Sequence, residues 1–183
     1  ERAWGDQAMS RKTEILVVGG GPAGMSAAIV ATQLGAKVLL VDDNPVLGGQ
    51  LVKQTHRFFG SAARDAGIRG ITIAEALQKE VADRKKNLTV LTETAVVGFY
   101  NDNQAGILSQ KYYEPVQFER AIICAGATEN SLIFENNDLP GIYGAGAVQT
   151  LMNVHGIRPG KKVLMVGSGN IGLIVSYQLM QAG

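Results

Sequence analysis

The chain has almost no cysteine. Cys124 is the only one in 183 residues, which excludes an intrachain disulfide and fits a reducing, cytoplasmic setting. An excess of charge of one sign is missing too. Seventeen Lys and Arg stand against 16 Asp and Glu, a formal net charge of +1, so nothing electrostatic favours nucleic acid or an anionic membrane surface. No apolar run approaches the roughly 20 residues of a membrane-spanning helix. The His, Cys, Asp and Glu residues nowhere adopt metal-ligand spacing, so no metal is expected. With two histidines, no Ser-His-Asp set can be read from chain order. A hydrophobic content of 46% with 18% charged residues describes a globular protein able to bury a substantial core.

Glycine, by contrast, is abundant, and two glycine-rich turns carry most of the information. The first is Ile15-Leu16-Val17-Val18-Gly19-Gly20-Gly21-Pro22-Ala23-Gly24; the second is Val163-Leu164-Met165-Val166-Gly167-Ser168-Gly169-Asn170-Ile171-Gly172. Each follows a β-type apolar run and opens a helix-type segment, the context in which G-x-G-x-x-G binds a dinucleotide. Gly19 and Gly167 permit the sharp turn. Gly21 and Gly169 let a pyrophosphate approach the backbone, and Gly24 and Gly172 let helix lie close to strand. The helix N-terminus supplies free N–H groups and a partial positive charge, and Pro22 suits the first helical position. Two turns suggest two nucleotides, with hydride or electrons moving between them.

The periodicity predicts a buried parallel strand over 13–18, a helix over 23–34 ending at Gly35, a second strand over 37–41 and an irregular stretch over 48–70. An amphipathic helix over 71–86 follows, then a strand over 88–91 and a three-stranded meander over 95–118 that turns at Asn101-Asp102-Asn103. A further buried strand is expected over 120–124 and a helix over 145–154. Pro159-Gly160 marks a linker. Residues 1–12 read as a tail or linker, 13–155 as one nucleotide-binding domain and 156–183 as the start of a second, so the chain is expected to be a piece of a longer protein. Asp42, at the end of the second strand and 18 residues beyond Gly24, can accept hydrogen bonds from both hydroxyls of an adenosine ribose. The strand pleat makes its neighbour Asp43 the secondary candidate.

With these motifs in order, residues 13–183 resemble the two-dinucleotide-binding flavoprotein superfamily, which includes thioredoxin reductase and the pyridine nucleotide-disulfide oxidoreductases. The resemblance implies an α/β fold: a Rossmann-like FAD-binding domain of parallel sheet plus β-meander, followed by the start of a second Rossmann-like domain that binds NAD(P). It implies that the first turn binds FAD and the second NAD(P), through Gly167, Gly169, Asn170, Ile171 and Gly172. Leu47-Gly48-Gly49-Gln50-Leu51 resembles the segment that passes beside FAD, which brings in Gly49, Gln50 and Leu51. Thr94-Ala95-Val96 resembles the edge whose backbone meets the adenine, which brings in Val96. Ala121-Ile122-Ile123-Cys124-Ala125-Gly126-Ala127 resembles the second FAD motif, which brings in Ala125 and Gly126; Cys124-Ala125 departs from the usual Ala-Thr.

What is missing narrows the chemistry. A dithiol reductase needs two exchanging cysteines. Thioredoxin reductases carry a Cys-x-x-Cys before the second turn, where this chain has Gly144-Ala145-Gly146-Ala147-Val148-Gln149-Thr150, and glutathione-reductase-like members place theirs after the Gly-Gly segment, where this chain has Gln50-Leu51-Val52-Lys53-Gln54. Leu139 to Thr150 is instead similar to the FAD/NAD-binding subunits of bacterial amine and imino-acid oxidases and dehydrogenases: sarcosine oxidase α-type, opine oxidase and proline dehydrogenase α-type. That branch implies an amine or imino-acid substrate handled through a second subunit, and an iron–sulfur or flavoprotein partner. Two alternatives stay open: a non-catalytic nucleotide-binding domain, and an NAD(P)H-dependent flavin reductase component feeding iron–sulfur partners. Gln50 and His56 are the candidates for catalytic residues. His56 stands in Gln54-Thr55-His56-Arg57-Phe58-Phe59-Gly60, where it can titrate near neutral pH and Arg57 can pair with a substrate carboxylate. His155 reads as a helix C-terminal residue, and Cys124 as a small buried hydrophobe.

Overall fold

A computed structural model describes residues 11–57, 61, 63 and 65–183. Residues 1–10 of the expected tail, and Phe58, Phe59 and Gly60, lie outside the described residues. The chain forms two compact units. The first comprises the described residues up to Leu51 and Ala74–Gly126; the second comprises those of Val52–Ile73 and Ala127–Gly183.

The first unit is built on a six-stranded sheet. Its strands are β1 (Arg11–Val18), β2 (Val38–Val41), β3 (Leu88–Leu91), β4 (Thr94–Tyr100), β5 (Gln104–Ser109) and β6 (Tyr113–Ile123), in the order β3-β2-β1-β6-β5-β4. β3, β2, β1 and β6 are parallel, with Leu16 level with both Leu39 and Ala121, while β4, β5 and β6 form the antiparallel meander. The apolar runs of β1 and β2 alternate between two faces, and both faces are buried, as continuous Val/Leu strands of parallel sheets are. Val17, Val38 and Leu40 pack with Met25, Ala28 and Ile29 of α1 (Pro22–Gln33) and with Val81 of α2 (Gly70–Ala82). Leu16, Leu39 and Val41 pack with Ala105, Ile107 and Val116 of the meander.

Four expectations on elements need correction. β1 starts at Arg11 rather than Thr13, because Arg11 and Lys12 pair with Val116 and Gln117 and the Arg11 guanidinium lies 3.2 Å from Glu114. α2 stops at Ala82 rather than Lys86. The amide of Arg84 donates to Val81 at 3.1 Å, a tighter closure that turns the chain toward β3. Residues 120–124 are not a separate buried strand; they continue β6. One face, with Ile122 and Cys124, packs on the α1 side, while the other is open and leaves Ile123 60% exposed.

The fourth correction falls in the second unit. Val163–Val166 is not a strand. A strand exists through its ladder, and no described strand pairs with this stretch; Leu164 is 88% exposed. The unit contains α3 (Ala145–Asn153) and α4 (Asn170–Gln181). Two glutamines are buried here, Gln149 and Gln178. Gln149 Nε2 donates to Gln178 Oε1 at 3.1 Å, and Gln178 Nε2 donates to Thr55 Oγ1 at 2.8 Å. Gln178→Ala leaves the buried Gln149 amide without its acceptor. It is expected to destabilise the protein by about 1–3 kcal/mol, measured by urea unfolding, and the double variant with Gln149→Ala is expected to lose less than the sum of the two single losses.

Candidate functional site

The first glycine turn lies where β1 ends and α1 begins, at the carboxyl edge of the parallel strands, where open α/β sheets bind ligands. Gly19 has φ +100° and donates its N–H to Val41 at 2.8 Å. A Cβ on Gly19 would overlap the carbonyl of Cys124, and one on Gly24 would overlap the carbonyl oxygen of Gly19. The third glycine of the motif therefore lets α1 sit directly on the turn. Gly21 caps α1 in an extended conformation (φ −70°, ψ −175°). The first N–H of the helical ladder is that of Met25, donated to Gly21 at 2.9 Å. The N–H groups of Ala23 and Gly24 stand ahead of that ladder and Pro22 has none, so two donors and the positive end of the helix point out of the turn.

The second turn repeats this backbone. Gly167 has φ +104°, Gly169 caps α4 with φ −70° and ψ 172°, and Leu173 donates to Gly169 at 3.0 Å. A Cβ on Gly172 would lie 2.7 Å from the carbonyl oxygen of Gly167. Asn170, Ile171 and Gly172 are the N-terminal donors here. The expected strand–turn–helix is thus present as turn and helix, without a paired strand.

At both turns the place a side chain would take is left open, as the approach of a pyrophosphate would require. A Cβ on Gly21 would meet Gly49 Cα alone, at 3.8 Å, and one on Gly169 would meet nothing within 4 Å. The space over each cap is open.

Other expected residues gather around the first turn. Gly48 donates to Gly20 at 2.8 Å, and Gly49 and Gln50 begin a 3-10 turn over Gly49–Lys53. Gln50 is exposed, whereas Leu51 is 4% exposed and buried in packing. Ala125 and Gly126 follow β6 and are exposed; Gly126 has φ +74°. Val96 is half-buried against the Leu16 cluster. His56 is half-buried and belongs to the second unit, whereas Gln50 belongs to the first.

Asp42 is 7% exposed. Its Oδ2 accepts the N–H of Gly20, and its Oδ1 accepts Asn44 N at 2.8 Å and Asn44 Nδ2 at 3.0 Å. Asp43 is exposed. Sequence reasoning overlooked Gly20 and Asn44 in this cluster; the Asn44-Pro45 turn signal was the available pointer. It also overlooked Glu129, whose carboxylate accepts the N–H groups of Ala145 and Gly146, each at 3.1 Å, at the start of α3. Away from the glycine turns, on the meander, the hydrogen bond with Tyr100, with smaller contributions from desolvation and from the Tyr100 charge, holds the Tyr113 hydroxyl above the ordinary phenol range. Among the described residues no group of His, Cys, Asp and Glu is placed to hold a metal, and no helix is long and apolar enough to cross a membrane.

Residues 13–183 match the model of the family described as pyridine nucleotide-disulphide oxidoreductase. The chain is 30% identical over 187 residues to the alpha subunit of sarcosine oxidase from Rhizobium meliloti (strain 1021), covering 93% of this chain and 18% of that protein. It is also 30% identical over 176 residues to an opine oxidase subunit from Agrobacterium tumefaciens (strain Ach5), covering 93% and 35%. The crystal structure of L-proline dehydrogenase from P. horikoshii superposes with a TM-score of 0.82 at 25% identity, over 94% of this chain and 34% of that one. The chain therefore spans about a third or less of the length of these relatives.

Proposed function

The chain belongs to the pyridine nucleotide-disulphide oxidoreductase family, and from that premise we propose that it is the dinucleotide-binding part of an FAD-dependent, NAD(P)-linked oxidoreductase lacking a redox disulfide. In this reading residues 13–155 hold FAD and residues 156–183 open the NAD(P) domain. The observation that carries it is the repetition of one turn geometry, at Gly19–Gly24 and at Gly167–Gly172, in a chain whose one cysteine is Cys124. FAD supplies the hydride and electron chemistry when bound, and the protein supplies position and electrostatics.

The N–H groups of Ala23 and Gly24 and the α1 dipole bind the pyrophosphate. The carboxylates at the end of β2 bind the adenosine ribose. Gly49, Gln50, Ala125 and Gly126 line the path beside the turn, and Gln50 and His56 are the candidates for contact with the reacting ring. Because relatives 30% identical to this chain are subunits of sarcosine and opine oxidases, the whole protein is read as the electron-transferring subunit of an amine or imino-acid dehydrogenase or oxidase. It would work in the cytoplasm beside a second, amine-handling subunit. Electrons would pass from it to an iron–sulfur or flavoprotein partner.

The test uses the full-length protein and follows NADH and NADPH oxidation with an artificial dye, with a protein disulfide, and with a secondary amine in the presence of the partner subunit. Dye turnover without disulfide turnover is the expected result. Efficient disulfide reduction contradicts the proposal, because two exchanging thiols are required for it. Dye turnover with no amine activity moves the assignment to a flavin reductase component.

A further inference from the structure

A lysine or arginine drawn away from water is ordinarily paired with a carboxylate. Among the described residues Arg11, Lys53 and Arg84 are half-buried, and the remaining Lys and Arg are exposed. Arg11 lies 3.2 Å from Glu114 and Arg84 lies 3.6 Å from Glu80. Lys53 forms no ion pair with a described residue. It is nonetheless held at both ends on one face of α3. Its carbonyl accepts from Asn153 Nδ2 at 2.7 Å, and its Nζ donates to Thr150 Oγ1 at 3.2 Å. Thr150 Oγ1 donates in turn to the carbonyl of Gly146 at 2.9 Å, and positions 146, 150 and 153 share one side of a helix. Fixing so long a side chain costs rotamer freedom, and withdrawing an ammonium from water without a carboxylate is unfavourable. One bond to a hydroxyl is modest in net worth, and two of the three ammonium N–H donors are left over.

A second chain of donors ends two residues further on. Gln149, next to Thr150 on α3, donates from Nε2 to Gln178 Oε1, and Gln178 donates from Nε2 to Thr55 Oγ1. Both glutamines are more than nine-tenths buried, so the chain is shielded from water and polarises the hydroxyl at its end. Thr55 accepts from Gln178 and keeps one proton to give, which no described residue takes. The carboxylate at the start of α3, that of Glu129, accepts from Ala145 and Gly146 and pairs with neither side chain. All of these residues belong to the second unit. Lys53 directly, and Thr55 through Gln178, are thus tied to consecutive positions of α3, with donors to spare and no acid between them.

We propose that Lys53 and Thr55 form an oxyanion seat, built on the buried amides of α3 and α4, that takes a carboxylate or phosphate group of a ligand. An amino or imino acid brings the first group and a nucleotide the second. The seat needs no flavin, so it stands apart from the FAD reading.

The test titrates the full-length protein with sodium acetate and with sodium phosphate, against sodium chloride at equal ionic strength, and follows the thermal midpoint. The parent shows a saturable rise with at least one oxyanion. Lys53→Met keeps an unbranched apolar stem and weakens that response about tenfold or more, whereas Lys53→Arg keeps it. Thr55→Val weakens it and Thr55→Ser does not. Saturation by acetate alone assigns the seat to a carboxylate, and saturation by phosphate alone assigns it to a phosphate group. A parent with no saturable response to either ion overturns the proposal. So does a phosphate response of parent strength in Lys53→Met, which places the ion at a glycine turn instead. Amine acylation of the parent, mapped by peptide mass spectrometry, needs no variant: saturating oxyanion protects Lys53, and an unchanged rate at Lys53 contradicts the seat.

Discussion

Gly24→Ala is expected to destabilise the protein by about 3 kcal/mol or more and to weaken FAD binding at least a hundredfold. The new methyl group would overlap the carbonyl oxygen of Gly19, lie 3.0 Å from the carbonyl carbon and touch Cys124 Cβ at 3.4 Å. Two of these atoms are backbone, so no rotamer change relieves the overlap. Overpacking of a core commonly costs about 1–3 kcal/mol where side chains can yield, and here either α1 or the turn must move. Movement of α1 withdraws the Ala23 and Gly24 donors from the place a pyrophosphate would occupy. Urea unfolding gives the first quantity and fluorescence titration with FAD the second. Parent-like values in both would mean that α1 does not rest on the turn as described.

Leu16→Ala acts from the core beneath the same site. Leu16 is fully buried at the centre of β1 and packs with Leu39, Val41, Ala105, Ile107 and Val116. Truncation removes its transfer free energy and leaves a cavity that the paired strands on both sides keep from collapsing, an expected loss of about 2–5 kcal/mol. Against a typical total of about 5–15 kcal/mol, that is a large fraction of the stability. Ile107→Val, in the same cluster, is expected to lose about 0.5–1.5 kcal/mol. Urea midpoints at constant slope test both, and a Leu16→Ala loss under about 1 kcal/mol would contradict a close-packed interior.

The β1–α1–β2 unit and the meander were legible because each signal was local. Apolar runs bounded by Gly19 and Gly35 specify parallel strands and a helix, and Asn101-Asp102-Asn103 specifies a tight turn; Asp102 and Asn103 have φ of +60° and +54°, which Asn and Asp tolerate well. The misses came where an element depends on something distant in the chain. Val163–Val166 has strand composition, but pairing requires a partner strand that its own residues do not encode. Residues 120–124 read as fully buried from their apolar letters, yet only one face of that end of β6 is covered.

The candidate site divides in the same way. The glycine positions follow from the motif. The direction in which the Asp42 side chain points does not, because it depends on Gly20 donating to one of its oxygens and Asn44 to the other. Nothing in the sequence marks Gln149 and Gln178 as partners, and only the packing of α3 against α4 makes them a buried hydrogen-bonded pair.

The most direct test of the account is the flavin content of the full-length protein as purified, identified after denaturation and compared between the parent and Gly24→Ala. The account predicts close to one FAD per chain in the parent and little or none in the folded variant. Absence of flavin from the parent, FMN in place of FAD, or full FAD occupancy in a folded Gly24→Ala protein would contradict it.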